Sequence, residues 1–236
     1  MDETTIQISG LSKSYAGKKV IDNISLTVSS GEVYGLLGAN GAGKSTTIEC
    51  ILGTRKADAG KIRILGLDPH KDRKPIFEQV GVQFQESNYP DKIRVKELCE
   101  ETACLYRQPA EYEPLLSRFG LAEKKNAFVT ELSGGQKQKL FIILALIADP
   151  KVVFLDELTT GLDTKARRNV WKSLLELKEQ GLTIFLSSHF MDEVEMLCDR
   201  ISILRDSRFV FTGTVQEAME QSCCEKFEDA YLWFTG

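Results

Sequence analysis

Three short runs of almost unbroken apolar residues mark the chain, at 33–37, 152–155 and 183–186. Runs of this kind are typical of strands that are buried on both faces, as in a parallel sheet. Residues 5–8 and 25–28 instead alternate between apolar and polar side chains, which indicates strands with one exposed face. The pattern therefore predicts a parallel core preceded by a half-exposed β portion.

Helical spacing follows these strands along the chain. Residues 45–52 continue directly from a glycine-rich turn with the periodicity of a helix. Residues 165–180 place apolar side chains such as Trp171 and Leu174 on one face, and Gly181 is a suitable residue to end that helix. Strands that alternate with helices predict an α/β fold.

The middle of the chain, residues 86–149, lacks strand patterns and is predicted to be helical. The helical stretches within it are 95–106, 112–119 and 136–148. Strand patterns return afterwards, at 200–204 and 209–211. We therefore predict one domain, with a core formed by residues 1–85 and 150–214, an inserted helical subdomain at 86–149 and a C-terminal helix over 215–236.

Composition limits the classes of function. The chain has 236 residues, of which 42% are hydrophobic and 27% charged, and a net charge of -4 provides no basic footprint for nucleic acid. The longest apolar run, 140–148, is about half of the ~18 residues that cross a bilayer. The acidic, polar segment 1–10 does not resemble a signal peptide. We expect a cytosolic chain that reaches a membrane only through a partner.

The segment after the first apolar run matches the phosphate-binding pattern GxxxxGK[ST] and is called the P-loop below. Its residues are Gly38, Ala39, Asn40, Gly41, Ala42, Gly43, Lys44, Ser45 and Thr46. The glycines let backbone N–H groups point inward at phosphate oxygens, and the following helix adds its dipole. Lys44 is expected to bridge the β- and γ-phosphates of ATP, and Ser45 to ligate Mg²⁺. The alternative is a turn that only caps a helix, but the strand before and the helix after favour phosphate binding.

Two acidic residues, Asp156 and Glu157, follow the second apolar run. The carboxyl ends of parallel strands are where such sheets bind ligands. Asp156 is expected to orient a water on Mg²⁺. Glu157 is expected to point to the other side of the strand, because side chains alternate with a period of two, and to accept a proton from the attacking water. Two acids after an apolar run are by themselves a weak signal of function, and the P-loop in the same chain makes the signal strong.

A third motif, the segment 132–136 with the sequence LSGGQ, identifies the family that the chain resembles. It matches the signature of ABC (ATP-binding cassette) ATPases, and the resemblance runs from about residue 6 to the end. The resemblance implies an α/β fold with a P-loop NTPase core and parallel sheet, an N-terminal antiparallel β portion and an inserted α-helical subdomain. It also implies ATP hydrolysis with Mg²⁺.

The resemblance assigns roles to residues outside these three motifs. Tyr15 is similar to the aromatic residue that stacks on adenine, and Gln85 to the glutamine that contacts Mg²⁺ and the attacking water, with Gln83 as a nearby rival. Asp163 fits the D-loop of the family. His189 fits the switch histidine that contacts the γ-phosphate.

The signature segment has a physical logic of its own. Ser133, Gly134, Gly135 and Gln136 open an apolar helix, so a capping hydroxyl, exposed N–H groups and the helix dipole form a second anion site. Two anion sites in one chain favour a head-to-tail dimer, as the family forms, in which each signature faces the γ-phosphate of its partner. We therefore expect a homodimer, or a pair of cassettes, on binding ATP.

The resemblance further implies a transporter subunit with a transmembrane permease as partner, held on the cytoplasmic side of the membrane. Segment 86–90 is expected to face that permease. Segments 65–69 and 188–194 are closest to drug- and peptide-exporting cassettes, and a nutrient-importer cassette or a soluble non-transport ABC ATPase are the alternatives. Leu158 stands where the family usually has proline, which leaves the turn after Glu157 looser and puts the rate of hydrolysis in doubt.

Overall fold

The computed structural model describes residues 3–84, 89–90 and 92–236. Its strands are β1 (Thr4–Tyr15), β2 (Lys18–Ser29), β3 (Val33–Leu37), β4 (Ala59–Ile64), β5 (Val80–Gln83), β6 (Val152–Asp156), β7 (Thr183–Ser188), β8 (Arg200–Arg205) and β9 (Arg208–Gly213). Its α-helices are α1 (Lys44–Ile51), α2 (Arg73–Phe77), α3 (Val95–Ala103), α4 (Tyr112–Arg118), α5 (Gly134–Leu146), α6 (Thr164–Glu179), α7 (Met191–Leu197), α8 (Val215–Ser222) and α9 (Phe227–Thr235).

The strands form two sheets. The larger has the order β5-β6-β7-β3-β8-β9, and its pairs are parallel except for β8 and β9. The smaller is antiparallel, with the order β2-β1-β4. The α/β fold with a parallel sheet and an N-terminal antiparallel portion is therefore confirmed.

The three apolar runs form the adjacent strands β3, β6 and β7, and every residue of these strands is buried. The ring of Phe185 stacks on that of Tyr34 with centroids 5.7 Å apart and packs at a tilt against that of Phe154 with centroids 5.4 Å apart. The hydroxyl of Tyr34 lies 2.6 Å from the hydroxyl of Ser202 on β8, so its polar atom has a partner inside the core. This packing fixes the strand ends that carry the candidate chemistry.

Helices α3, α4 and α5 lie between β5 and β6 in the chain, as the missing strand pattern predicted. Helix α5 packs against β5 at Gly81, where a β-carbon would lie only 2.0 Å from the carbonyl oxygen of Ala145. A glycine is required there because the two backbones approach too closely for any side chain. The contact holds the last turn of α5 against the sheet.

Some elements differ from the predictions. Strand β4 was not predicted, although its residues 61–64 alternate between exposed and buried side chains. The single C-terminal helix expected over 215–236 is wrong, because the structure contains two helices, α8 and α9. Cys223 adopts a left-handed backbone with φ 55°, which ends α8. No helix within the described part of the chain is both long and apolar enough to span a bilayer.

The β8–β9 hairpin joins the two sheets. Its turn residues Asp206 and Ser207 have left-handed φ values of 47° and 69°. The carbonyl of Ser207 accepts the N–H of Asp22 at 2.7 Å, and its hydroxyl donates to the carbonyl of Lys19 at 2.8 Å. Arg208 adds an ion pair with Asp22 at 2.6 Å. The turn is thus fastened to β2 on both sides of residue 20.

Candidate functional site

The P-loop connects β3 to α1 through two tightly packed glycines. A β-carbon at Gly38 would lie 2.7 Å from the carbonyl oxygen of Leu204, and one at Gly43 would lie 2.9 Å from that of Val20. Gly43 also has φ 109°, a conformation that favours glycine. The loop therefore lies against β8 and β2 because these positions lack side chains.

Lys44 is buried and folds back over its own loop. Its ammonium group donates to the carbonyl oxygens of Gly38 at 2.8 Å and Ala39 at 3.2 Å. Burial lowers the pKa of Lys44, and the nearby carboxylates of Glu157 and Asp156 act in the opposite direction. The charge is held inside the curl of the loop, where the tail of a nucleotide would need it.

A cavity of about 350 Å³ opens above the loop and is called the P-loop cavity below. The residues that line it are Val20, Asn40, Gly41, Gly43, Lys44, Ser45, Thr46 and Glu157. The first N–H groups of α1 have no carbonyl partner one turn earlier in that helix, and Gly43 gives them no side-chain cap. Free N–H groups, a buried cation and a helix N-terminus suit a polyphosphate.

One hydroxyl, that of Ser187, binds both the carboxylate of Asp156 and the backbone of Glu157 at the end of β6. Asp156 and Ser187 are paired residues of the neighbouring strands β6 and β7. The hydroxyl of Ser187 donates to Oδ1 of Asp156 and accepts the backbone N–H of Glu157 at 3.1 Å. All of these atoms lie at the carboxyl edge of the parallel sheet. The short connection orders both acids relative to each other.

Glu157 does not reach the cavity in the way that the sequence suggested. Strand β6 ends at Asp156, and Glu157 has a left-handed φ of 52°, so the alternation of strand side chains does not decide its direction. The turn of the backbone directs Glu157 instead, and its side chain lines the P-loop cavity. The prediction that strand alternation directs the side chain of Glu157 was therefore wrong, because Glu157 lies beyond the end of the strand.

His189 follows β7 and lies beside Glu157. Its Nδ1 is 4.0 Å from Oε1 of Glu157, and its ring packs on Phe190 with centroids 4.2 Å apart. The side chain of His189 is 36% exposed, whereas that of Glu157 is 14% exposed. The structure thus brings Lys44, Ser45, Glu157 and His189 to one edge of the sheet.

The signature segment begins α5 as predicted. Ser133 is the N-cap residue, and its hydroxyl accepts the N–H of Gln136 at 3.3 Å while the side-chain oxygen of Gln136 accepts the N–H of Ser133 at 3.0 Å. A β-carbon at Gly134 would have no heavy atom within 4 Å, so this corner is open. Among the described residues, those that line the P-loop cavity do not include the signature.

Other predicted residues occupy separate positions. Tyr15 ends β1 with 39% exposure, and the cations of Lys13 and Arg55 lie 5.3 and 5.4 Å from its ring centroid. Asp163 caps α6 by accepting the N–H of Ala166 at 2.9 Å.

The predicted Gln85 lies outside the described residues, as do 86–88 of the segment expected to face a permease. Its rival Gln83 is buried in β5, where its side chain donates to the carbonyl oxygens of Phe84 at 2.8 Å and Asp156 at 3.3 Å.

Sequence reasoning missed two residues of the site, Ser187 and Gln138. Ser187 could have been found as a small polar residue at the end of an apolar strand. Gln138 donates to the carbonyl oxygen of Leu158 at 2.8 Å from helix α5. No sequence signal pairs Gln138 with Leu158, because their contact exists only after α5 has packed.

Comparison with known proteins agrees with this arrangement. The family model for ABC transporters matches residues 21–160. Nod factor export ATP-binding protein I of Rhizobium etli is 39% identical over 231 residues, which cover 95% of this chain and 73% of that protein.

Two solved structures have the same fold. The structure of an ATP-binding subunit of an ABC transporter superposes with a TM-score of 0.90 at 29% identity, covering 99% of this chain and all of that one. A dimeric cassette in a post-hydrolysis state with ADP and Pi superposes with a TM-score of 0.80 at 23% identity over 89% of this chain and 98% of its own, a likeness of fold alone. The chain therefore belongs to the ABC transporter family and is an ATP-binding cassette. Cassettes of this family hydrolyse ATP to power transport.

Proposed function

We propose that the chain binds Mg·ATP in the P-loop cavity, hydrolyses it with Glu157 as general base, and so drives export through a membrane partner. The observation that carries this proposal is the position of Glu157. Its side chain lines the same cavity as Lys44 and Ser45, and His189 lies 4.0 Å from it. An acid in that position can reach a water that attacks the γ-phosphate.

Nucleotide binding would use all nine residues of the P-loop. The N–H groups of the loop would contact the phosphates, and Lys44 would exchange its bonds with the carbonyls of Gly38 and Ala39 for bonds with phosphate oxygens. The oxygen atoms of Ser45 and Asp156 would hold Mg²⁺, and Gln85 would be a further ligand. Bound Mg²⁺ would neutralise charge on the β- and γ-phosphates.

Hydrolysis would need little covalent chemistry from the protein. Glu157 would accept the proton of the attacking water, and His189 would hold the γ-phosphate in place. Lys44 and the N–H groups of the loop would stabilise the charge that develops on the phosphoryl oxygens. Leu158 in place of proline does not remove any of these groups.

A second copy would complete the site. The corner formed by Ser133, Gly134 and Gly135 is open at Gly134, and the cavity of its own chain does not include it. A head-to-tail dimer would place this corner, with Gln136 and Asp163, against the nucleotide held by the partner. A cassette of the same fold forms a dimer in a post-hydrolysis state with ADP and Pi. Tyr15 would stack on the adenine.

Export is the direction that the relatives favour. The similar Rhizobium protein is named as an ATP-binding protein for Nod factor export, at 39% identity. The chain would sit on the cytoplasmic side of the membrane against a transmembrane permease, with residues 86–149 as the helical subdomain that moves relative to the core of 1–85 and 150–214. The nature of the cargo would be set by the permease.

The test compares the wild-type chain with Glu157→Gln. We expect ATP to bind with unchanged affinity while turnover falls by roughly 10²- to 10⁴-fold, the range for a positioned base, and an ATP-bound dimer to accumulate in sedimentation. A second variant, Ser133→Arg, should bind ATP as a monomer yet neither dimerise nor hydrolyse. Turnover of Glu157→Gln close to that of the wild type would refute the assignment.

A further inference from the structure

The backbone turn that carries Glu157 is held by two side chains from distant parts of the chain. Its N–H donates to the hydroxyl of Ser187 at 3.1 Å. On the other side, the side-chain amide of Gln138 donates to the carbonyl oxygen of Leu158 at 2.8 Å and approaches that of Glu157 at 3.5 Å. The turn is therefore clamped between β7 and helix α5.

The turn at Glu157 has a strained backbone that needs support from other residues. Glu157 has φ 52°, a conformation that is unfavourable for a residue with a side chain. A proline at position 158 would restrict the backbone by its ring, but Leu158 has no such restriction, although its side chain is fully buried. Contacts from neighbouring elements must therefore keep the turn in its conformation.

We propose that Gln138 is a positioning residue for Glu157: its amide, bonded to the carbonyl of Leu158, keeps the carboxylate over the P-loop cavity. The proposal deepens the proposed function and rests on it. Gln138 itself does not line the cavity, so it would act only through the turn. The structure supplies a single good hydrogen bond for this purpose, at 2.8 Å.

The location of Gln138 adds a second consequence. It lies on the same helix as Ser133, five residues away and thus about one and a half turns along α5. In a head-to-tail dimer that helix begins at the nucleotide of the partner. Gln138 would then connect the general base of one site to the helix that contacts the other nucleotide.

The first experiment measures steady-state ATP hydrolysis by wild type, Gln138→Leu and Gln79→Leu. Gln79 is a suitable control, because it also donates its side-chain amide to a backbone carbonyl, that of Pro75 at 3.1 Å, but far from the site. We expect Gln138→Leu to lower kcat by roughly 10-fold, about the effect of one lost hydrogen bond, with KM for ATP within about 2-fold of wild type. Gln79→Leu should retain the wild-type kcat.

The second experiment tests whether the donor itself matters. Gln138→Glu has the same shape, but its carboxylate cannot donate to the carbonyl of Leu158, whereas its protonated form can. At pH 8, where a glutamate is ionised, the kcat of Gln138→Glu should therefore be at least as low as that of Gln138→Leu, although its side chain fills the same space as glutamine. A kcat of Gln138→Glu equal to that of wild type would refute the donor role.

A third experiment separates the two sites of the dimer. A large excess of Glu157→Gln chains is mixed with a small amount of Gln138→Leu chains, so that the only intact base belongs to the chain that lacks Gln138. This mixture should be roughly 10-fold slower than one in which the wild-type chain meets Glu157→Gln/Gln138→Leu double variants. The reverse order would mean that Gln138 acts on the partner.

The outcomes distinguish the two proposals. If the wild-type chain lacks ATP hydrolysis, the proposed function fails and the role of Gln138 fails with it. If the wild type is active and Gln138→Leu has the same kcat, only the role of Gln138 is refuted. Thermal unfolding of each variant shows whether the fold is intact, and Gln138→Glu provides the kinetic test where Gln138→Leu does not fold.

Discussion

Replacing Ser187 by alanine should impair both stability and catalysis through the loss of one oxygen atom. That oxygen donates to the carboxylate of Asp156 and accepts the N–H of Glu157. Ser187 is fully buried and Asp156 is 3% exposed. The alanine variant therefore leaves a buried acceptor and a partly buried donor without their partner.

The magnitude follows from the two bonds. A hydrogen bond to a charged group contributes about 1.5–3 kcal/mol and a neutral one about 1 kcal/mol, so we expect the free energy of unfolding to fall by about 2–4 kcal/mol. For a chain of this length that corresponds to a Tm lowered by roughly 4–16 °C. Because Glu157 also loses a contact that fixes its turn, kcat should fall by roughly 10-fold or more.

The assay is urea unfolding followed by fluorescence, together with ATP turnover on the same preparation. Ser173→Ala is the matched control, since Ser173 is also buried but donates only to the carbonyl of Asn169 on its own helix, at 3.1 Å. That variant should change stability by about 0.5 kcal/mol or less and leave kcat unchanged. Equal losses for the two variants would refute the reasoning, as would a stable and fully active Ser187→Ala.

Three further changes test other parts of the structure. Gly81→Ala should lower the free energy of unfolding by about 3 kcal/mol or more, because its β-carbon would lie 2.0 Å from the carbonyl oxygen of Ala145, and wild-type stability in urea would contradict the packing of α5 on β5. Burial raises the pKa of Glu193, so the wild type loses stability as pH rises through that raised pKa, whereas Glu193→Gln does not titrate. We therefore expect the free energy of unfolding of Glu193→Gln, relative to that of the wild type, to be higher at pH 8 than at pH 5 when both are measured by urea unfolding. The same difference at both pH values would contradict a raised pKa for Glu193. Tyr15→Ala should raise the Kd of ATP by roughly 3- to 10-fold through lost stacking, measured with a fluorescent nucleotide, while Tyr15→Phe should bind as wild type; equal affinities for all three would exclude stacking.

The large elements of the fold could be predicted because their signals are local. Strands β3, β6 and β7 are buried throughout and contain mostly apolar residues, the composition typical of a strand that is buried on both faces. The P-loop and the signature segment could be found for a similar reason, since each is a continuous stretch at a helix start. Short elements such as β4 and the break at Cys223 were missed, because a few residues carry little periodicity.

The geometry around Glu157 could not be predicted for a different reason. Its left-handed φ is not a preference of glutamate but a result of contacts from elsewhere. Gln138 lies 20 residues from Leu158 in sequence, and Ser187 lies 31 residues from Asp156. Contacts at such separations depend on how α5 and β7 pack, and no local sequence pattern predicts them.

Because the β8–β9 turn is hydrogen-bonded to β2, a change at the turn is transmitted to the P-loop cavity. Ser207 bonds to Lys19 and Asp22, which flank Val20, and Val20 is part of the cavity wall. A fluorophore or peptide tag attached at Asp206 would lie outside the cavity, yet it could displace Val20 through the bonds of the turn to β2. Labels intended to be silent therefore belong elsewhere, and a dye placed here should report the arrival and departure of ATP.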